Sequence, residues 1–451
     1  MADCMAEDRP LSLDDLAEHL AQGAKPKSSF KIGAEHEKFV FRTGSNTPVP
    51  YEPSGIRALL EGLQRFGWSP VLEAGKVIAL ERAGASVTLE PGGQFELSGA
   101  AMDDVHSTCI ETQLHLDESK EVAGELGIAF LALGFTPTWR RDEVPIMPKG
   151  RYDIMRAYMP KVGSLGLDMM LRTCTVQTNL DFASEADMVA KFRASLALQP
   201  IATALFANSP FVEGKPSGFV SARANVWTDT DPDRTGLLNF VFDDGFGFDA
   251  YARYAAEVPM YFVKRGGRYI NLAGRSFRDF MAGKLAELPG QCPSLKDWAD
   301  HITTIFPEVR LKQYLEMRGA DTGDLAMICA LQAFWVGVLY DAAALAAAWD
   351  LCKHWTVADR EQLRRDAART GLKGTVAGRP IRDVARDMVA ISAQGLKARG
   401  ARDGHGQDES IFLDGIAEIA DSGLTQADRL LAKYHGEWAG DASRAYEACR
   451  Y

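Results

Sequence analysis

Two glutamates lie two residues apart in an apolar segment near the start of the chain. The segment runs from Phe30 to Phe41 and contains Glu35, His36 and Glu37. It predicts a β-strand, and because side chains alternate along a strand, both carboxylates should leave from one face and His36 from the other. Two neighbouring carboxylates inside a protein either take up a proton or share a divalent cation. The pair is therefore a candidate metal site; the alternative is a solvated strand face with Lys38 as counter-ion.

Three further segments show the same alternation, each with carboxylates, amides or arginines on one predicted strand face. A carboxylate beside a guanidinium suits nucleotide chemistry, because arginine forks onto phosphate oxygens while a carboxylate holds the magnesium that bridges them. Each segment alone also fits a surface hairpin or a local ion pair. The segments and their polar residues are Thr88–Gly99 with Gln94, Glu96 and Ser98; Arg172–Asp181 with Gln177, Asn179 and Asp181; and Tyr314–Asp321 with Glu316 and Arg318.

The composition is that of a globular protein with an acidic surface. The chain has 451 residues, of which 46% are hydrophobic and 25% charged, and its net charge is −11. Such a balance argues against a general nucleic-acid surface, although it allows local basic clusters around an anionic ligand. We therefore expect no nucleic-acid partner.

Cysteine usage and hydropathy predict a cytoplasmic protein without a membrane segment. The seven cysteines are dispersed, with no pair at zinc-ligand spacing, so we expect reduced thiols and neither a disulfide scaffold nor a structural zinc site. The N-terminal segment Met1–Pro10 is polar and acidic and lacks an apolar signal core. The most apolar stretch, Leu325–Tyr340, is shorter than the ~20 residues of a membrane span and predicts a buried helix.

Helical patterns alternate with the strand signals up to Asp321 and continue alone beyond it. This distribution predicts one catalytic domain over 1–451, with a sheet-containing core over 1–321 and a helical C-terminal region over 322–451. A polar, glycine-rich loop is expected at Gly400–Gln407. The predicted helices are Leu11–Gln22 with Ser12 as cap, Ser54–Phe66, Val105–Leu126 and Ser184–Phe206 with a bend at Pro200. The segments Leu325–Trp349, Val357–Arg369 and Ile381–Arg399 are predicted to make up the helical C-terminal region.

The sequence resembles the plant-type glutamate–cysteine ligases of plants and many proteobacteria over nearly its whole length. The family implies an α+β, glutamine-synthetase-like fold whose curved, largely antiparallel sheet, with flanking helices, forms a funnel. It also implies ATP-dependent joining of the glutamate γ-carboxyl to the cysteine amine through a γ-glutamyl phosphate, the first step of glutathione biosynthesis. The matching blocks are Gly33–Phe39, Leu89–Gly99, Met159–Asp181, Leu198–Pro210, Trp227–Gly236, Val258–Phe262 and Thr304–Asp321.

The resemblance also implies roles for individual residues, with Mg²⁺ as cofactor and glutamate, cysteine and ATP as the partners of a monomer or weak homodimer. Arg318 and Arg223 would be catalytic, with Arg318 meeting the transferring phosphoryl group. The implied contacts are Glu35, Glu37, Glu96 and Glu316 for Mg²⁺, with Glu90 as an addition; Arg151, Arg223, Trp227 and Asn179 for the amino-acid substrate; and Lys161, Arg234 and Arg318 for the nucleotide.

Three other functions fit parts of this pattern. A related ligase with another acceptor amine would keep the metal and glutamate residues. A regulatory binding protein with an inactive ligase fold would not need all the carboxylate and arginine segments intact. A two-metal hydrolase would explain the carboxylates but would leave Arg151, Arg223 and Arg318 without a joint role.

Overall fold

The computed structural model describes residues 9–451, so Cys4 and most of the acidic N-terminal segment lie outside it. The largest element is a sheet of nine strands in which every pairing is antiparallel. The strands are β1 Ile32–Arg42, β2 Ser69–Glu73, β3 Lys76–Arg82, β4 Ala85–Leu89, β5 Phe95–Ser98, β6 Ile128–Leu131, β7 Thr175–Leu180, β8 Val309–Leu311 and β9 Leu315–Asp321. Their order is β8-β9-β7-β1-β5-β4-β3-β2, and β6 also pairs with β1. The predicted α+β class with a largely antiparallel sheet is confirmed.

Helices surround this sheet and make up most of the chain beyond residue 321. They are α1 Leu13–Ala21, α2 Ile56–Leu63, α3 Val105–Glu125, α4 Gly150–Tyr158, α5 Gly166–Arg172, α6 Glu185–Leu205, α7 Ala222–Val226, α8 Phe248–Glu257, α9 Phe277–Met281, α10 Leu295–Ile302, α11 Leu325–Leu339, α12 Ala342–Cys352, α13 Val357–Thr370, α14 Ile381–Arg399, α15 Asp414–Ser422, α16 Gln426–His435 and α17 Ala445–Ala448. Four two-stranded ribbons pair Phe211–Val212 with Lys215–Pro216, Thr235–Gly236 with Phe306–Pro307, Phe262–Arg265 with Arg268–Asn271, and Thr375–Val376 with Arg379–Pro380.

The register of the central strands brings the predicted polar residues together. Glu35 of β1 is opposite Gln177 of β7, and Glu37 is opposite Glu96 of β5. Glu316 of β9 is likewise opposite Asn179 of β7. Because directly paired residues point to the same side of a sheet, the four predicted strand segments present their polar residues on one face.

The other face of β1 is apolar except for a small buried group of basic side chains. His36 and Lys38 are fully buried there. Lys38 Nζ lies 3.2 Å from His36 Nδ1 and 3.2 Å from His115 Nε2 of α3. Lys38 is therefore on the opposite face from Glu35 and Glu37 and is not their solvated counter-ion.

The predicted helical segment Leu325–Trp349 consists of two helices, α11 and α12. Asp341 begins a new helix by accepting a hydrogen bond from the Ala344 N–H, and α11 and α12 meet at 92°. Among the described residues no single helix is long and apolar enough to cross a membrane; only this bent pair has the length and composition. The expected burial is confirmed, since Phe334 and Trp335 of α11 are fully buried.

One cysteine pair corrects the expectation of reduced thiols. Cys109 of α3 and Cys329 of α11 form a disulfide that links residues 220 positions apart. Local cysteine spacing cannot reveal such a pair, because only the packing of α3 against α11 brings the two sulfur atoms together.

His301 of α10 should make folding sensitive to acid. It is buried, and its Nε2 lies 2.9 Å from the Ala255 carbonyl oxygen. Burial lowers the pKa of His301 to about 4, below its ordinary value of 6.5, despite the hydrogen bond to Ala255. Between these two pH values the unfolded chain binds more protons than the folded one, so this contribution to stability falls as the pH falls.

The variant His301→Gln can still donate to Ala255 but does not titrate. Between pH 7 and pH 4.5 the native protein should lose roughly 2 kcal/mol more unfolding free energy than the variant. Urea unfolding of both proteins at the two pH values measures this difference. Equal losses would contradict a neutral, buried His301.

Candidate active site

The polar face of the sheet forms the floor of an open cleft of about 940 Å³. We call it the main cleft; its volume is within the usual range of ligand sites. The charged residues that line it are Glu35, Glu37, Glu90, Glu96, Arg151, Arg310, Lys312 and Arg318. Six of these eight were named from the sequence. Glu316 lies beneath them and is fully buried.

Glu35, Glu37 and Glu96 form an acidic cluster in the main cleft, and each is held by a neutral donor. Asn179 Nδ2 donates to Glu35 Oε1 at 2.8 Å, and the Thr175 N–H donates to Glu37 Oε2 at 2.9 Å. The Thr88 hydroxyl donates to Glu96 at 2.6 Å. The predicted substrate residue Asn179 is thus placed beside the acidic cluster.

The acidic cluster has more negative charge than its surroundings neutralise. Loss of hydration, reinforced by Glu316 and Glu96, raises the pKa of Glu35 to about 7. The pKa of Glu37 is raised well above its ordinary value by burial and then by Glu96 and Glu90, and burial together with Glu90 raises that of Glu96. A cation at this position would remove the repulsion among these carboxylates.

The donor chemistry of the acidic cluster fits a hard divalent cation such as Mg²⁺. Carboxylate oxygens are suitable ligands, and Mg²⁺ in nucleotide enzymes is commonly held by one or two carboxylates plus phosphates and water. In residues 9–451 no three acidic, histidine or cysteine side chains converge closely enough to hold a metal by themselves. A metal held here would therefore need part of its coordination from substrate or water.

Glu316 is surrounded by a basic cluster of Arg310, Lys312 and Arg318. Its oxygens lie 2.6 Å from Arg310 Nη2, 3.1 Å from Lys312 Nζ and 2.5 Å from Arg318 Nη1. Burial alone would raise the pKa of Glu316, but these three cations hold it well below its ordinary value. Because three cations meet one carboxylate, the cluster keeps positive charge for an anionic ligand.

Two smaller cavities adjoin the main cleft and share Phe306 and Arg318 with it. We call the one that contains Glu37 the middle cavity and the one that contains Glu308 the side cavity; both contain Arg223 and Trp227. Arg223 is 3% exposed, and its Nη2 donates to the Arg318 carbonyl oxygen at 2.8 Å. Arg223 Nε and Trp227 Nε1 are buried donors without a protein partner. Unpaired buried donors are costly, so they point to a missing acceptor.

Asp321 fixes the short helix α7, which carries Arg223. Its Oδ2 accepts hydrogen bonds from the Asn208 N–H at 2.8 Å and the Ser209 hydroxyl at 2.6 Å. Its Oδ1 accepts from the hydroxyl of Ser221, which caps α7, at 2.8 Å. Asp321 also ends β9, the strand of Glu316 and Arg318, so one carboxylate joins both parts of the site.

If Arg223 binds a glutamate carboxylate, as the sequence resemblance implies, the variant Asp321→Asn should weaken glutamate binding although Asp321 does not line the cavities. The amide has one acceptor oxygen instead of two, so a buried hydroxyl or N–H loses its partner, at a cost of about 1–3 kcal/mol. We expect the KM for glutamate to rise about tenfold while the KM for ATP is unchanged. Steady-state kinetics with each substrate varied in turn measures this; equal changes in both constants would show a general loss of structure.

Two predicted nucleotide contacts lie away from the cavities. Arg234 is fully buried, and its guanidinium donates to Asp231, to the Thr304 carbonyl and to the Pro259 carbonyl. Each of its three guanidinium nitrogens donates inside the fold and Arg234 lines none of these cavities, so the structure does not support the predicted nucleotide contact. Lys161 is exposed in the turn after α4 and does not line the main, middle or side cavity.

Arg151 lines the main cleft, whereas three other lining residues, Arg310, Lys312 and Glu308, were not predicted from the sequence. The buried Nε of Arg151 has no protein partner. Arg310 and Lys312 were not named, although their spacing places both side chains on one side of the chain beside Glu316. Glu308 was also missed, because a single glutamate next to a proline carries no sequence signal.

Known proteins resemble this chain over nearly its whole length. The model of the glutamate-cysteine ligase family 2 matches residues 31–448. The chain is 54% identical to the chloroplastic glutamate–cysteine ligase of Medicago truncatula over 450 residues, covering 100% of this chain and 87% of the relative. It is 55% identical to the chloroplastic enzyme of Arabidopsis thaliana over 443 residues, covering 98% and 83%.

Solved structures with low identity share the fold. The glutamate–cysteine ligase of Francisella tularensis in complex with AMP has a TM-score of 0.56 at 11% identity, covering 92% of this chain and 87% of that one. The bifunctional glutathione synthetase of Pasteurella multocida has a TM-score of 0.51 at 13% identity, covering 95% of this chain and 53% of that one. At these identities the likeness shows the fold alone.

The relatives correct one prediction and establish the family. The expected cytoplasmic location is contradicted, because the related plant enzymes are named as chloroplastic. The family assignment from sequence motifs is confirmed, since the match spans nearly the whole chain and more than half of the aligned residues are identical. The chain belongs to glutamate-cysteine ligase family 2.

Proposed function

We propose that this enzyme joins the γ-carboxyl group of glutamate to the amine of cysteine, with ATP as the co-substrate. The observation that carries the proposal is the position of Arg318, which lines the main cleft and both smaller cavities. A phosphoryl group bound to Arg318 would therefore be next to an amino acid bound at Arg223 and Trp227. That is the arrangement required to make an acyl phosphate.

The basic cluster addresses the main difficulty of the first step. The γ-carboxylate must attack the terminal phosphorus of a polyanionic triphosphate, and ADP leaves as the γ-glutamyl phosphate forms. Arg318, Arg310 and Lys312 lower the repulsion between these anions and stabilise the charge that develops on the transferred group. When the triphosphate binds these cations, the oxygens of Glu316 are released from them.

Glu35, Glu37, Glu96 and Glu316 are the residues that would hold Mg²⁺. The metal, when bound, would neutralise part of the negative charge of the triphosphate. Arg151 and Arg223 are proposed to bind the carboxylates of glutamate, with Trp227 closing the pocket.

In the second step the neutral amine of cysteine attacks the acyl carbon, phosphate leaves, and the amine gives up a proton.

The whole chain, 1–451, is proposed to act as one catalytic unit. Its largest hydrophobic cluster includes Val176 of β7 and Met317 of β9 together with Phe334 of α11 and Leu396 of α14. The helical C-terminal region therefore shares a core with the sheet. We propose a monomer or weak homodimer that acts on small molecules.

The test is ADP release by the purified protein with ATP, Mg²⁺, glutamate and cysteine, each omitted in turn, with the product identified by mass. We expect turnover only with all four and a product with the mass of γ-glutamylcysteine. EDTA should stop the reaction, and excess Mg²⁺ should restore it. Glutamate-dependent ADP release that ignores cysteine, or prefers another amine, would keep the acyl-phosphate step and replace the acceptor.

A further inference from the structure

The side cavity, of about 320 Å³, has the polar groups needed to recognise an α-amino acid. Its lining includes Arg223, Trp227, Glu308, Arg318 and Gly319, and Glu308 is the only carboxylate among the lining residues. The unpaired donors Arg223 Nε and Trp227 Nε1 suit a carboxylate ligand. Nothing in the roles proposed above accounts for Glu308.

Glu308 is held in place by contacts on several sides. Its Oε1 accepts from Arg364 Nε at 2.9 Å, and Arg364 Nη2 also donates to the Trp227 carbonyl at 3.0 Å. The Glu308 side chain is 13% exposed. Its backbone N–H donates to the Gly236 carbonyl, and its carbonyl accepts from the Arg318 N–H. The carboxylate is therefore positioned relative to Trp227 and Arg318.

Gly319 leaves the space that the second oxygen of Glu308 occupies. A Cβ atom at residue 319 would lie 2.6 Å from Glu308 Oε2 and 2.7 Å from Gln199 Nε2. Any side chain there would displace the carboxylate from the cavity wall. In β9, Gly319 directly follows Arg318, so the space that the Glu308 carboxylate occupies lies next to Arg318.

We propose that Glu308 accepts the α-ammonium group of the substrate glutamate and so selects an α-amino acid over a plain dicarboxylate. This inference rests on the proposed function and adds a specificity residue to it. The α-carbon of glutamate carries both an ammonium and a carboxylate group. Glu308 can accept hydrogen bonds from the ammonium, while the nearby donors of Arg223 and Trp227 can bind the carboxylate. A carboxylate–ammonium pair of this kind is a charge-assisted contact that is geometrically specific.

The ammonium group belongs to glutamate rather than to cysteine for a chemical reason. A carboxylate beside an amine favours its protonated form. The cysteine amine is the nucleophile of the second step and must be neutral to attack, so binding by Glu308 would suppress it. The glutamate α-amine takes no part in the reaction and can stay charged throughout.

The experiment compares glutamate with glutarate, which is the same dicarboxylate without the amine. For the native protein kcat/KM should favour glutamate over glutarate by at least ~100-fold, and Glu308→Gln should lower kcat/KM for glutamate by ~30-fold or more, mainly through KM. The value for glutarate should change by less than about threefold. The preference for glutamate should therefore largely disappear in the variant.

Arg364→Gln is the matched control, because it breaks the same ion pair while leaving the Glu308 carboxylate in place. If Glu308 only held Arg364 and Trp227, both variants would lower activity with glutamate and glutarate alike. That result, or a native protein that uses both substrates equally, would overturn the proposal. Glu308→Asp keeps the negative charge but places it farther from the ligand, because aspartate is one methylene group shorter. Its preference for glutamate over glutarate should lie between those of the native protein and Glu308→Gln.

Calorimetric binding of glutamate and glutarate, without ATP or cysteine, separates this proposal from the proposed function. A folded Glu308→Gln protein, checked by its unchanged circular dichroism, should lose affinity for glutamate only. If the native protein binds glutamate selectively but forms no product with cysteine, the proposed function fails while the role of Glu308 stands. If glutamate binding is unaffected by Glu308→Gln, the role of Glu308 fails whatever the reaction.

Discussion

Glu316→Gln is expected to abolish cysteine-dependent ADP release, lowering kcat by about 1000-fold or more. The native carboxylate neutralises part of the charge of Arg310, Lys312 and Arg318 and holds them at the edge of the main cleft. A neutral amide leaves these cations repelling one another, and it also removes one proposed ligand of Mg²⁺. Both losses act on the groups that should stabilise phosphoryl transfer.

The same variant should be less stable, so the loss of activity needs a control for folding. Removing one partner of a buried ion pair typically costs about 3–5 kcal/mol. Glu118→Gln is a suitable comparison, because Glu118 is also buried and accepts from Arg82 at 2.7 Å and from Trp68 Nε1 at 3.0 Å. It does not line the cavities, so that variant should lower the melting temperature and keep kcat. More than a tenth of native kcat in Glu316→Gln would rule out the role given to Glu316.

Arg223→Lys should lower kcat/KM for glutamate by about 100-fold or more, even though the positive charge is retained. Arg223 uses its Nη2 for the Arg318 carbonyl and presents Nε as a second, unpaired donor. A lysine has a single nitrogen on a flexible side chain and cannot donate in both directions at once. The expected loss of transition-state stabilisation with glutamate is about 3 kcal/mol.

Kinetics with glutamate and ATP varied separately will show whether the loss is specific. The KM for ATP should stay within about twofold, because Arg223 is not part of the basic cluster. Arg193→Lys offers a matched change outside the site, since Arg193 donates to the Val241 and Asp243 carbonyls. It should leave both constants unchanged. A normal glutamate KM in Arg223→Lys would mean that glutamate binds elsewhere.

Strand alternation allowed much of the site to be predicted from sequence. Glu35 and Glu37 were assigned to one face, and Glu316 and Arg318 to one side of a later strand; the register confirms both arrangements. Such predictions succeed because alternation is a local property of an extended chain. The α1 cap at Ser12 was predictable for the same reason, since the capping contact is with Asp15.

Two of the corrections depend on contacts with segments that are distant in the sequence. Arg234 has the composition of a phosphate ligand, but Asp231 and two carbonyls from other segments occupy its donors. The disulfide joins Cys109 to a helix 220 residues later. The bend between α11 and α12, by contrast, has a local signal in Asp341, which caps α12.

The strand order of the sheet has a consequence for how the protein is made. The acidic cluster comes from β1 and β5, which are close in the sequence, whereas β9 emerges from the ribosome only after residue 315. Pairings between strands so far apart in sequence are slow to form. A nascent chain will therefore have its repelling carboxylates in place well before the cations around Glu316 arrive. The main cleft can be completed only late in synthesis, and until then its exposed strand edge is where the chain is most open to aggregation.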